Sequence, residues 1–376
     1  MNDYEKFIEL CDTMPSFVRS FFVSKSDNYQ PKTKLGYATD FNNFLFWILK
    51  YSGKTNAESI ASITCKDLES LSYEDIDLYL NYLSIYPAVD NKGNTIKDKT
   101  GKIKYITNSP TGKARKLAAV RMLYKFLLKR GLITFNPTEL TETPKEKEEK
   151  AIFTLSMEQQ STMLNRAYRA EGRPVKKEGV TERGLKKSGT MRQKTRYRDY
   201  AILATLFSSG IRVSELCNIN IYDIDFNEQM FIIKRKGGST DHVYFGKEAK
   251  DAMLDYIELE RNNLAGYTKE SERYDKFASS DGPLFITGYE KGTDELKRIT
   301  PRRVQQIVKE YGVFVAAENE KITPHTLRKT FGTSLFREYK DLILVQHALG
   351  HSDSSTTSKY YVGFDQDSLK VIKNRN

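Results

Sequence analysis

Apolar residues recur at three-to-four-residue spacing through most of the first 140 positions. Between residues 34 and 51, Leu35, Ala38, Phe41, Leu45, Ile48 and Leu49 share one face, which predicts an amphipathic helix after Pro31. Ser72 is placed to cap a second helix that carries Ile76, Tyr79, Leu80 and Leu83 and is stopped by Pro87. Residues 88–107 are polar, with turn points at Gly93 and Gly101, and read as a loop or hairpin. From Ser109 or Thr111 a strong helix is predicted through Arg130. It carries Leu117, Val120, Leu123, Tyr124 and Leu127 on one side and basic residues on the other, and Gly131 closes it.

Residues 141–150 contain no apolar side chain and mix both charges, the composition of an exposed linker. That divides the chain into domains at 1–140 and 151–376. The second opens with a helix from about Ser156 to Arg169, followed by the basic, Gly-containing stretch 172–193, a loop or insertion. A helix with Tyr200, Ile202, Leu203, Leu206 and Phe207 then runs to Gly210. Three β candidates follow near 220–224, 230–234 and 242–245, with residues 236–239 as the turn between the last two. Beyond Lys247 the pattern is helical again, apart from a β-like run at 283–287. The expected fold class is α-rich with two domains: a helical N-terminal domain and a mixed α+β domain with a small antiparallel sheet.

Composition narrows the function. The 376 residues suit two domains of roughly 100–200 residues each. Charged residues at 29% and apolar residues at 39% exclude an acidic disordered protein and an integral membrane protein. The apolar run 44–49 is far short of the roughly 20 residues a membrane crossing needs. The first residues show no basic segment leading into an apolar one, which argues against a secretion signal. Cys11, Cys65 and Cys217 are few, odd in number and far apart, so a reducing cytoplasm is expected rather than a disulfide framework.

The formal charge of +11 is unevenly spread. Residues 97–130 hold eleven Lys/Arg against one acid, Asp98, and residues 172–198 hold ten against Glu178 and Glu182. One such stretch alone reads as a solvated helix face. Two, one per domain, point to a polyanion gripped from two sides. Within the first, Lys113, Arg115, Lys116, Arg121 and Lys125 are the candidates for DNA phosphate contacts.

Four short motifs carry the candidate chemistry. In the run 210–216, Gly-Ile-Arg-Val-Ser-Glu-Leu, Arg212 and Glu215 stand one helical turn apart. Lys236 sits at a predicted β-turn. Thr323 and Pro324 open a helix on which His325 and Arg328 share a face near a positive end, a good place for a phosphate. Leu349-Gly350-His351 leads, nine residues on, to Tyr360 and Tyr361. Guanidinium forks can grip the non-bridging oxygens of a phosphodiester, a phenol among cations can attack phosphorus, and a mobile lysine can protonate a leaving oxygen. Taken singly, each has a plainer reading: a surface ion pair, a turn lysine, a cap histidine, a core tyrosine. His347 and His351 lack an accompanying Cys/His cluster or an HExxH glutamate, so neither a metal nor another cofactor is expected.

In their order and spacing, R-x-S-E-L, a turn lysine, H-x-L-R, L-G-H and a following tyrosine resemble the tyrosine recombinase (phage integrase-like) family. The resemblance spans nearly the whole chain, because residues 1–140 look like that family's helical core-binding domain. The run 14–18, the helix at 46–48 and the loop before residue 110 further resemble its single-recombinase Xer branch. The resemblance implies Arg212 and Arg328 as the pair clamping the scissile phosphate and Lys236 as the donor to the departing 5′ oxygen. It implies His325 as general acid/base, His351 as a phosphate ligand, Glu215 as a support and Tyr360 as the nucleophile that forms a 3′-phosphotyrosine. Tyr361 is the rival to Tyr360, and Arg235 to Lys236. Lys329 stands where many members have a second histidine.

The implied activity is site-specific DNA recombination without metal or ATP. The expected partners are double-stranded DNA bearing a recombination site, four copies of the chain on two duplexes, and a regulator such as a DNA translocase. Resolution of chromosome dimers at a dif-like site is the first reading. The integrase of a mobile element, a type IB topoisomerase and a non-catalytic DNA-binding protein are the alternatives.

Overall fold

A computed structural model describes residues 2–25, 29–89, 94–145, 153–171, 194–235, 240–261, 282–289, 296–317 and 320–350. The chain divides into two compact units, Met1–Lys150 and Ala151–Asn376. The architecture is the helix-rich one expected, and among the described residues its strands form small antiparallel sheets. Among the described residues no helix is long and apolar enough to cross a membrane.

In the first unit the helices are α1 (Asp3–Asp12), α2 (Ser16–Ser24), α3 (Pro31–Trp47), α4 (Cys65–Glu69), α5 (Tyr73–Tyr82) and α6 (Pro110–Lys129). Most local signals act where the sequence puts them. Pro31 starts α3 at its first turn, and the helix loosens into a π-turn at Ile48–Ser52. The hydroxyl of Ser72 accepts the Asp75 N–H, and Asp75 answers by accepting the Ser72 N–H, a reciprocal cap for α5. Leu83, not Pro87, ends that helix. Pro87 instead closes strand β1 (Ile85–Pro87), which pairs antiparallel with β2 (Tyr105–Thr107), and the bridges Val89–Thr95 and Lys97–Ile103 extend the pairing. The core is aromatic: Phe21, Phe41, Phe44, Trp47, Tyr79 and Tyr124 are buried, with Phe44 and Tyr79 edge to face at 4.9 Å.

In the second unit the helices are α7 (Met157–Tyr168), α8 (Arg196–Ser209), α9 (Val213–Asn218), α10 (Lys247–Tyr256), α11 (Pro301–Gly312), α12 (Pro324–Tyr339) and α13 (Leu342–Leu349). Strands β3 (Ile224–Asp225), β4 (Met230–Lys234) and β5 (Thr240–Tyr244) form one sheet, and β6 (Ile286–Tyr289) pairs with β7 (Leu296–Arg298). The first β candidate shifts: Ile221–Asp223 is a 3-10 turn and the strand begins only at Ile224. Ile202, Leu206, Phe231, Met253, Leu284, Val304, Ile307 and Leu327 bring α8, α10, α11, α12 and the sheet onto one core. Thr195 makes no side-chain cap at the start of α8. The buried Glu260 carboxylate does so instead, accepting the N–H groups of Tyr197 (2.8 Å) and Arg198 (3.2 Å). Burial raises its pKa to about 8. A small satellite cluster of Phe336, Val345 and Leu349 seats α13 on α12.

Candidate active site

The site is assembled from the ends of elements. Helix α8 finishes at Gly210 in the left-handed conformation (φ 58°), and the chain turns at once into Arg212 and α9. A Cβ on Gly210 would lie 2.4 Å from the Phe331 ring, so only glycine lets the end of α8 approach α12 this closely. At the start of α12, Thr323 and Thr326 cap each other reciprocally, with Pro324 at the first turn. Arg328 follows one turn in and is 7% exposed.

Three guanidinium groups converge on the last carbonyls of α13. Arg328 donates to the carbonyl oxygens of Gly210 and Leu349. Arg212 donates to the Gly350 carbonyl (2.9 Å) and to the Glu215 carboxylate (2.8 Å), while Glu215 also accepts the Arg212 N–H (3.0 Å). Arg235, the residue after β4, donates to the Gly350 (3.1 Å) and Leu349 (3.4 Å) carbonyls. The partially negative end of a helix favours cations in this position. Carbonyl oxygens orient a guanidinium without cancelling its charge, so three guanidiniums set against the carboxylates of Glu215 and Asp241 keep a positive surplus. A groove of about 870 Å³ opens in front of it, lined by Arg212, Glu215, Asn218, Lys234, Arg235 and Gly350.

His325 lies one turn before Arg328 on α12. Desolvation, with Lys329 and Arg328 adding repulsion, holds its pKa below the ordinary histidine value and favours a neutral ring. Arg212, Glu215 and Arg328 are thus brought together, with His325 beside Arg328 on α12. Lys236, His351, Tyr360, Tyr361 and the stretch 172–193 lie outside the described residues. The contacts that sequence reasoning missed are the backbone acceptors of Gly210, Leu349 and Gly350, and the participation of Arg235, considered only as a rival to Lys236. Glycine just before the histidine of L-G-H was the available signal of a helix end there.

The cations of α6 are engaged unequally. Lys116 is buried and bonded to the buried Asp40 (3.1 Å), so it holds α6 to α3, whereas the sequence suggested a phosphate contact. Arg115 grips the same carboxylate with both arms of its fork but stays largely exposed. Arg121 donates to the Thr138 and Thr141 carbonyls and the Thr143 hydroxyl, pinning the chain that leaves the helix. Lys113 bonds the Ser84 hydroxyl (2.6 Å) at the hairpin, and Lys125 is exposed.

Comparison with known proteins agrees with this geometry. The phage integrase family profile matches residues 181–366. Tyrosine recombinase XerS of Streptococcus thermophilus (strain CNRZ 1066) is 30% identical over 364 residues, 95% of this chain and 94% of the relative. Tyrosine recombinase XerS of Streptococcus agalactiae serotype III (strain NEM316) matches to the same extent. The fold is shared with the XerH site-specific recombinase bound to palindromic difH substrate (TM-score 0.58, 18% identity, 93% of this chain and 81% of that one). It is shared also with a lambda integrase dimer bound to a COC′ core site (TM-score 0.53, 15% identity, 92% and 94%). The chain therefore belongs to the tyrosine recombinase family, enzymes that cut and rejoin DNA strands. Within that family it is of the XerS type.

Proposed function

We propose that this recombinase resolves chromosome dimers at a dif-like site, with Tyr360 as its nucleophile. The observation that supports the reading most is the set of guanidiniums held on uncharged carbonyls at the end of α13, one residue before His351. Arg212 and Arg328 grip the non-bridging oxygens of the scissile phosphate and stabilise the charge that gathers there. Neutral His325 takes the phenol proton as the Tyr360 oxygen bonds to phosphorus. The bond to the 5′ oxygen breaks, and Lys236 supplies the proton that oxygen needs. The 3′-phosphotyrosine keeps the bond energy, so a 5′ hydroxyl from the second duplex reverses the step without ATP. Glu215 holds Arg212 in place, and His351 hydrogen-bonds the phosphate.

The first unit acts as the core-binding domain, using half-buried Lys113 and exposed Arg115 and Lys125 on the DNA backbone. Four copies act on two duplexes in the cytoplasm, timed by a partner such as a DNA translocase. The difH substrate bound by the XerH recombinase supports a dif-like target. The test is a nicked suicide oligonucleotide carrying such a site. The wild-type chain is expected to become covalently joined to DNA in EDTA, and Tyr360→Phe to bind the DNA without joining it. Undiminished joining by Tyr360→Phe would refute the assignment.

A further inference from the structure

We infer that Arg235 is a positioning residue, tying the root of the β4–β5 turn to the end of α13 so that two catalytic segments keep one geometry. The inference rests on the recombinase reading above, because the residue after Arg235 is Lys236 and the residue after Gly350 is His351.

The side chain of Arg235 is only 13% exposed, and its guanidinium lies among carbonyl and carboxylate oxygens. Nη1 serves the Gly350 and Leu349 carbonyls, Glu215 stands 4.0 Å away, and Nε faces Asp241. Asp241 belongs to β5, opposite Ile233 of β4, so the strand pair braces its own arginine. Gly350 completes the contact. It has φ 57°, and a Cβ there would lie 1.5 Å from Nη1 and 1.9 Å from Cζ of Arg235. The guanidinium occupies the space a side chain would need, and glycine is the residue that leaves it empty. Arg212 shares both the Gly350 carbonyl and Glu215, so the same acceptors that orient a phosphate-gripping arginine also fix Arg235.

A planar fork can hold two groups in a set relation, which a single ammonium cannot do. Arginine is also a poor proton donor, and this one faces backbone and carboxylates. That leaves proton donation to Lys236 and gives Arg235 the task of aiming it.

The experiment is single-turnover cleavage of the suicide oligonucleotide by the full chain. Arg235→Ala is expected to slow covalent joining by about a hundredfold, the scale of a misplacement near 1 Å, while DNA affinity is unchanged. Arg235→Lys is expected to remain slow. Gly350→Ala is expected to show a similar loss, and the double variant to be no slower than either single one. On an oligonucleotide with sulfur in place of the bridging 5′ oxygen, the departing thiolate needs no proton. There Lys236→Ala is expected to regain cleavage, whereas Arg235→Ala stays slow because the α13 end is still adrift. Wild-type rates for Arg235→Ala on ordinary DNA would overturn the proposal, as would additive losses in the double variant. Full recovery of Arg235→Ala on the sulfur substrate would make Arg235 the proton donor and overturn it too. Absence of any tyrosine–DNA adduct with the wild-type chain would instead overturn the recombinase mechanism itself.

Discussion

Basic residues crowd two regions of this molecule, and the two hold them differently. In α6, Lys116 and Arg115 converge on the buried carboxylate of Asp40, and much of their charge is spent on binding α6 to α3. At the end of α13, three arginines converge on carbonyl oxygens, with Glu215 and Asp241 as the carboxylates beside them. The first arrangement stabilises a fold; the second aims cations while leaving a positive surplus to attract an anion. Counting Lys and Arg along the chain treats the two alike. Acceptor chemistry is what separates a structural cation from one prepared for a phosphate.

The largest effect is expected at Arg328. Arg328→Lys keeps the charge but loses the fork that spans the Gly210 and Leu349 carbonyls. Cleavage of the suicide substrate should fall by about 10²–10³-fold, the usual cost of removing one transition-state donor. Near-normal cleavage by Arg328→Lys would mean that charge alone suffices there. Asp40→Ala probes the other region. Lys116 would be left buried without its partner, and urea unfolding of the first unit should lose about 3–5 kcal/mol. A change well under 1 kcal/mol would show that Lys116 simply turns outward and that the pair is not structural.

The smallest effect concerns pH. The depressed pKa of His325 means that its ring loses its proton below the ordinary histidine value and is neutral above it. As acceptor of the phenol proton it should keep the cleavage rate level as pH falls through about 6.5, and fail only lower. Lys329→Gln removes one of the repelling cations, so the inflection should move upward. An unmoved inflection in a pH–rate profile would remove Lys329 from the account.

Much of this was legible in the sequence where the signal is local. Ser72, Ser109, Ser156 and Thr323 each cap the helix their position suggests, because an N-cap needs only its own side chain and the next turn. Arg212 and Glu215 pair as their spacing requires. What was not legible is non-local or carried by the backbone. The Asp40–Lys116 contact joins residues 76 apart, and periodicity gives no hint of it. The carbonyls that hold Arg212, Arg235 and Arg328 have no letter of their own. The hairpin strands at 85–87 and 105–107 are three residues each, too short to alternate visibly.

The central claim is tested most directly by mapping the covalent joint between protein and DNA. Mass spectrometry of the wild-type chain trapped on a suicide oligonucleotide should find a 3′-phosphate ester on Tyr360. An ester on another residue, Tyr361 included, or none under conditions where the DNA is bound, would contradict the account.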